Sequence, residues 1–218
     1  MKENKDEPRT RHNPGREAVI SLGVGHFCYN CIMDFLSHGL WSAVAYKAAR
    51  RKTARPLNVW LAVFFGVLPD VFAFAIPFTL LFIRLISGQM SLADWPRPNH
   101  DGVVEPPQND ALNIFPFTNQ LYNISHSLIV FLIIFGLVAL VFRRPVWEML
   151  AWFLHILMDI PTHTYRFYPT PFLWPLSGWK FEGVAWATPW FLILNYGALI
   201  FVFLWLWLWR RSAVKSPS

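Results

Sequence analysis

The chain has 218 residues, of which 55% are hydrophobic, 17% aromatic and only 15% charged. Twelve Trp and twenty Phe exceed what one soluble core of this size holds, which makes an integral membrane protein the default class. The formal charge of +6 is no nucleic-acid footprint, because the basic residues sit in short clusters between apolar runs.

Residues 1–17 are polar, mixed in charge and without the pattern of a cleavable signal peptide, so a disordered tail is expected there. A first helix is expected over about 18–46; it is uncharged from Ala18 to Met33 and then carries Asp34 and His38. Cys28 and Cys31 within it form a C-x-x-C that lacks the second half of a zinc site, and read as small buried residues. His26 on the same apolar stretch reads as a hydrogen-bonded core histidine. The basic run Lys47, Arg50, Arg51, Lys52 and Arg55 follows.

A second helix is expected over about 58–86, where Asp70 is the only charged residue between Arg55 and Arg84. Pro69 brings no amide hydrogen, so the carbonyl of Phe65 loses its helical partner. In lipid such a break survives only where protein or water takes over the bond. A polar loop, 87–120, carries Asp94, Asp101, Glu105 and Asp110 against Arg97, with His100 read as solvated, like His12 in the tail. Helices are then expected over about 121–142, 146–160 and 188–209, the first two joined by Arg143-Arg144-Pro145. Between the last two lies a loop, 161–187, dense in Pro, Trp and Tyr, suited to the interface or to capping a bundle. After Arg210-Arg211 the residues 212–218 read as a short polar tail.

The fold expected is therefore all-α: a polytopic membrane bundle of about five helices with two long outer loops, residues 18–211 forming one domain. The positive-inside rule places the basic turns in the cytoplasm and the two long loops outside.

The chemistry lies in the few titratable side chains within these helices. His155 and Asp159 are four residues apart and share a helix face, as do Asp34 and His38. Counted from the cytoplasmic ends, His38 and His155 lie about 12 Å deep, Asp34 and Asp159 about 18 Å, Asp70 about 21 Å and His126 about 25 Å. Tilt absorbs such a spread, so the six are expected to converge. Imidazole with carboxylate is the ligand set of Zn2+, Mn2+ or Fe2+ hydrolytic centres, and six ligands suffice for one ion or two. The competing readings are a proton or ion carrier, since intramembrane His/Asp chains serve transporters, and a scaffold in which the groups only staple helices. His163, just past Pro161-Thr162, reads as an orienting residue or proton shuttle. Ser125, Ser127 and Thr162 are candidates for orienting ligands. Lys180 in the second loop is a candidate for a phosphate or lipid headgroup.

The ordered segments Asp34-Phe-Leu-Ser37-His38-Gly39-Leu-Trp41, Gly66-Val-Leu-Pro69-Asp70, Tyr122-Asn-Ile-Ser125-His126-Ser127-Leu128 and His155-Ile-Leu-Met-Asp159-Ile-Pro161-Thr162-His163 are followed by Tyr168-Pro-Thr-Pro-Phe-Leu-Trp174-Pro175-Leu-Ser177. Over residues 33–178 this set resembles the bacterial membrane-bound metal-dependent hydrolases, also described as LexA-binding, inner-membrane-associated hydrolases. The resemblance implies a multi-pass inner-membrane protein with a metal site. The family's histidine before its G-x-x-P-D motif matches His38, and the aspartate of that motif matches Asp70. Its T-H-S histidine matches His126, and its H-x3-D matches His155 and Asp159. Many members have H-R-G-x-T-H-S where this chain has Leu121-Tyr-Asn-Ile-Ser-His-Ser. The expected ligands are thus His38, Asp70, His126, His155 and Asp159, with Asp34 as a further ligand or general base. Zn2+ is the first choice of metal, and a membrane lipid or lipid-linked ester, most plausibly a phosphoester, is the expected substrate.

Overall fold

The computed structural model describes residues 34–53, 55–89, 91 and 117–214. Within them the chain is all-helical: α1 over residues 34–52, α2 (Val59–Ile86), α3 (Thr118–Ser125), α4 (Leu128–Phe142), α5 (Leu150–Thr162) and α6 (Pro189–Val214). A 3-10 turn, Trp147–Met149, leads into α5. The tail 1–17, the stretch 18–33 with His26, Cys28 and Cys31, and most of the loop 87–120 with His100 lie outside the described residues.

The bundle is built on α2. Asn58 starts it, its side chain accepting hydrogen bonds from the amides of Trp60 and Leu61 at 3.0 and 3.2 Å. The helix runs through both Pro69 and Pro77, so the missing amides do not end it. It packs against α3 and α5. Its contact with α1 depends on glycine, because a Cβ on Gly66 would lie 2.0 Å from Ser42 Oγ and one on Gly39 3.1 Å from a Val67 methyl. That close approach sets His38 of α1 against the turn of α2 that leads to Asp70.

Two expected helices come out differently. The helix expected over 121–142 is broken at His126-Ser127, where α3 and α4 meet at a 64° bend. Ser127 is extended, and its hydroxyl accepts from the amides of Ile129 and Val130, both at 3.2 Å, while donating to the carbonyl of Trp174. A serine with those partners begins a new helix in preference to continuing the old one. The helix expected over 146–160 is a 13-residue α5, about 20 Å long against a hydrocarbon thickness of about 30 Å. It is a core helix, with Ala151, Trp152, His155, Ile156 and Asp159 all buried.

By length and composition α2 and α6 can each cross a membrane, and the bent pair α3–α4 makes a third span if it counts as one. The described residues thus hold six helices, against about five expected, but fewer spans. α6 also continues past Arg210-Arg211 to Val214, into the expected tail, since two arginines end an apolar stretch without ending a helix. The outward faces of α4 and α6 are apolar, with Leu140 75% and Phe201 70% exposed, as lipid contact requires. At one end of the bundle Lys47 lies over the Phe203 ring, Arg51 over Trp209 and Arg55 over Trp147. The first two contacts join the last turns of α1 to the end of α6, and the third joins the basic turn after α1 to the 3-10 turn before α5.

The loop 163–188 closes over the C-terminus of α5. The amides of Gly183, Val184 and Trp186 donate to the carbonyls of His163, Pro161 and Thr162 at 2.9, 2.9 and 3.0 Å, satisfying groups that a helix end leaves open. Gly183 is required there, as a Cβ would stand 2.4 Å from the Pro161 carbonyl oxygen. The loop therefore caps the bundle, and Trp186 is carried to the mouth of the His/Asp cluster.

Candidate metal centre

Each polar residue is placed by a local feature of its element. On α5, His155 and Asp159 lie one turn apart on the buried face, and His163 caps the helix on that same face, its amide donating to the Asp159 carbonyl at 3.1 Å. The break before Ser127 leaves His126 at the end of α3, pointing inward. Its ring stacks on Tyr122 with centroids 3.8 Å apart, and Trp152 Nε1 holds the adjoining Ser125 carbonyl at 2.6 Å. α1 supplies Asp34 and His38, and α2 supplies Asp70.

Four donor atoms converge at nearly equal spacing. His126 Nε2 is 3.1 Å from His155 Nε2, 3.3 Å from Asp70 Oδ1 and 3.3 Å from Asp159 Oδ2. His155 Nε2 is 3.6 Å from Asp70 Oδ1 and 3.1 Å from Asp159 Oδ2. Ligands about 2.0–2.2 Å from a four-coordinate metal ion stand about 3.3–3.6 Å from one another, and these five separations lie around that range.

His155 Nδ1 lies 2.8 Å from the Gly66 carbonyl oxygen, which only accepts, so this Nδ1 carries a hydrogen and Nε2 faces the centre. His126 Nδ1 lies 2.8 Å from the Ser125 hydroxyl and 3.2 Å from the Tyr122 carbonyl oxygen, which turns its Nε2 to the centre as well. Asp70 Oδ2 and His38 Nδ1 are buried without a hydrogen-bond partner, while the Asp159 carboxylate faces imidazole nitrogens, Oδ1 that of His38 at 2.9 Å and Oδ2 those of His155 and His126 at 3.1 and 3.3 Å. Buried carboxylates are costly unless a cation, metal or imidazolium, meets them. The group Asp70, His126, His155 and Asp159 can hold a metal ion, and Asp34, His38 and Asp70 form a second such group.

All seven residues singled out from the sequence therefore lie in one cluster. The spread in depth counted along straight helices disappears because the chain breaks beside His126 and the helices cross with an offset. His163 sits at the edge, 3.8 Å from both Asp34 Oδ2 and Asp159 Oδ1, too far for direct hydrogen bonds. Among the hydroxyls, Ser125 reaches His126 Nδ1 at 2.8 Å. Thr162 donates instead to Met158 of its own helix at 2.9 Å, and Ser127 serves as cap and loop anchor. Lys180 is held apart, in a polar cavity of about 200 Å³ shared with Asn119, Tyr122, Asn123, Tyr168 and Pro169. Partial burial pushes its ammonium pKa down, and burial pushes the Tyr168 phenol up.

Some contributors carried only a faint signal in the sequence. The Gly66 carbonyl, which orients His155, belongs to the backbone and has no letter of its own. Asn195 was legible as a lone amide in an apolar helix: its Nδ2 donates to Ser37 Oγ and its Oδ1 accepts from Trp41 Nε1, both at 2.8 Å, docking α6 on α1 beside His38.

Two small crevices reach the cluster, of about 30 and 10 Å³, and Asp34 and Trp186 border both. Phe35, Phe74, Phe78 and Phe167 wall the second. A larger cavity of about 930 Å³ lies at the basic end between Lys47, Arg50, Trp60 and Trp207, and none of the seven cluster residues lines it. No protein-family profile, curated protein or solved structure matches the chain.

Proposed function

We propose that the protein is a membrane-bound metal-dependent hydrolase of the bacterial inner membrane, as the motif resemblance implies, acting on a membrane-associated ester, phosphoester first. One observation carries the reading: two imidazole Nε2 atoms and two carboxylates, all buried, meet at the spacing of a metal's ligands. A divalent cation supplies Lewis-acid polarisation of a phosphoryl or acyl oxygen and acidifies water. Zn2+ suits this set first, with Mn2+ or Fe2+ as alternatives.

In this reading His38, Asp70, His126, His155 and Asp159 are the ligands. Asp34, 14% exposed where the crevices open, completes the ligand set or takes a proton from incoming water as general base. His163, between Asp34 and Asp159, relays that proton to the leaving group. The crevice beside Asp34 is walled by Phe35, Phe74, Phe78, Phe167 and Trp186, an apolar setting that supports a lipid or lipid-linked substrate.

The test is a panel of phospholipids, lipid pyrophosphates and acyl esters offered to Zn2+- or Mn2+-loaded protein. Release of a phosphorylated or acyl product by the wild type, abolished in the His155→Ala, Asp159→Ala double variant, supports the reading. Proton or ion flux through reconstituted vesicles without metal would replace it with a carrier.

A further inference from the structure

We infer that the cluster is two cation sites of unequal kind that share Asp70 and Asp159: a closed inner site and an outer, exchangeable one that faces substrate. The inference rests on the metal-dependent reading above and assigns the division of labour within it.

The inner site is complete. His126, His155, Asp70 and Asp159 supply four donor atoms, with side-chain exposures between 0% and 5%. A four-ligand site without an open position is the structural kind, because substrate enters only by displacing a ligand. Catalysis therefore needs a second position, and three features of the remaining atoms mark it.

First, the shared carboxylates are divided between two sides. Asp159 Oδ2 faces His126 and His155 at 3.3 and 3.1 Å, whereas its Oδ1 faces His38 Nε2 at 2.9 Å. Asp70 turns Oδ1 to the inner histidines and leaves Oδ2 buried with no partner. Carboxylates shared in this manner hold the ions of two-metal centres about 3.5–4 Å apart.

Second, His38 is 3% exposed and its Nε2 is set between two carboxylates, 2.9 Å from Asp159 Oδ1 and 3.4 Å from Asp34 Oδ1, while its Nδ1 is buried with no partner. Asp34, His38 and Asp70 bring one ligand atom each within 4.8 Å of the others. One imidazole nitrogen among three carboxylates is a donor set that suits a divalent cation.

Third, charge and access agree. Asp34, Asp70 and Asp159 bring three negative charges to one buried volume. A single dication leaves it net negative and repels a phosphate, while two leave it net positive. Asp34 is the most exposed member of the cluster and borders both crevices, so the outer position is the one nearest to solvent.

Stoichiometry and spectroscopy of the full chain in detergent or nanodiscs decide the matter. Equilibrium dialysis with Mn2+, read by elemental analysis, is expected to give two ions per chain. Brief dialysis against a weak chelator is expected to remove one and leave one. At two equivalents the electron paramagnetic resonance spectrum is expected to show two coupled ions. His38→Gln, and separately Asp34→Asn with His38→Gln, are expected to bind one ion with the isolated six-line signal and to weaken the second by more than tenfold. Saturation of the wild type at a single ion, loss of both ions together to the chelator, or two ions retained by a folded His38→Gln chain overturns the inference and leaves a one-metal hydrolase standing. A wild type that takes up no metal overturns the hydrolase reading as well. The wild-type stoichiometry and spectrum give the answer even if the variants do not fold.

Discussion

His126 and His155 face one another Nε2 to Nε2 at 3.1 Å, each with its other ring nitrogen turned to a backbone carbonyl. At that distance the two nitrogens either share one hydrogen or turn both lone pairs to a cation. The pair is an open clasp, and the two carboxylate oxygens beside it make the opening more negative.

A metal is therefore expected to matter to stability as well as to chemistry. Metal-loaded protein should melt above chelated protein, by a margin that grows with free metal concentration, since an ion bound only by the folded state stabilises it by mass action. His155→Ala should weaken inner-site affinity by more than about 100-fold, beyond what loss of an orienting residue costs. Thermal melts with and without chelator, together with elemental analysis, check both. Equal melting of loaded and chelated wild type would falsify the prediction.

Gly66 lets α1 and α2 touch. Gly66→Ala puts a methyl 2.0 Å from Ser42 Oγ, so the helices must part, at a cost of about 1–3 kcal/mol. Ser42→Gly in the same chain should restore most of the loss. If the single variant melts like the wild type, the close crossing is not the native one.

Ser127→Ala removes the cap of α4 and its bond to Trp174, and should cost about 1 kcal/mol. Because the same residue holds the chain break that turns His126 inward, metal affinity should fall with it. An alanine variant with lowered stability but wild-type metal binding would uncouple the bend from the site.

Asn195 docks the otherwise exposed α6. A double-mutant cycle of Ser37→Ala and Asn195→Leu should return a coupling of about 0.6 kcal/mol, the usual scale for polar contacts between membrane helices. A coupling of zero would mean that the Ser37–Asn195 contact does not help hold α6 on α1, leaving that to the apolar packing around Val44, Leu199 and Leu206 and to the other contacts between the two helices.

The helical class, the position of α2 and the identity of the polar residues were legible in the sequence because each depends on local chemistry. An apolar stretch with one aspartate reads as a buried helix whatever surrounds it, and i, i+4 spacing puts His155 beside Asp159 in any α-helix. The expected helix over 146–160 is the exception for a related reason: apolar composition suits a buried core helix such as α5 as well as it suits lipid.

Only the tertiary structure decided which atoms meet. The bend at Ser127 depends on a carbonyl of Trp174, 47 residues away, and the tautomer of His155 on a carbonyl of Gly66, 89 residues away. Those partners are backbone groups that every residue carries, so no letter announces them. The sequence determined that a few acids and imidazoles would be trapped among apolar helices; the crossing of those helices determined that they would share one centre.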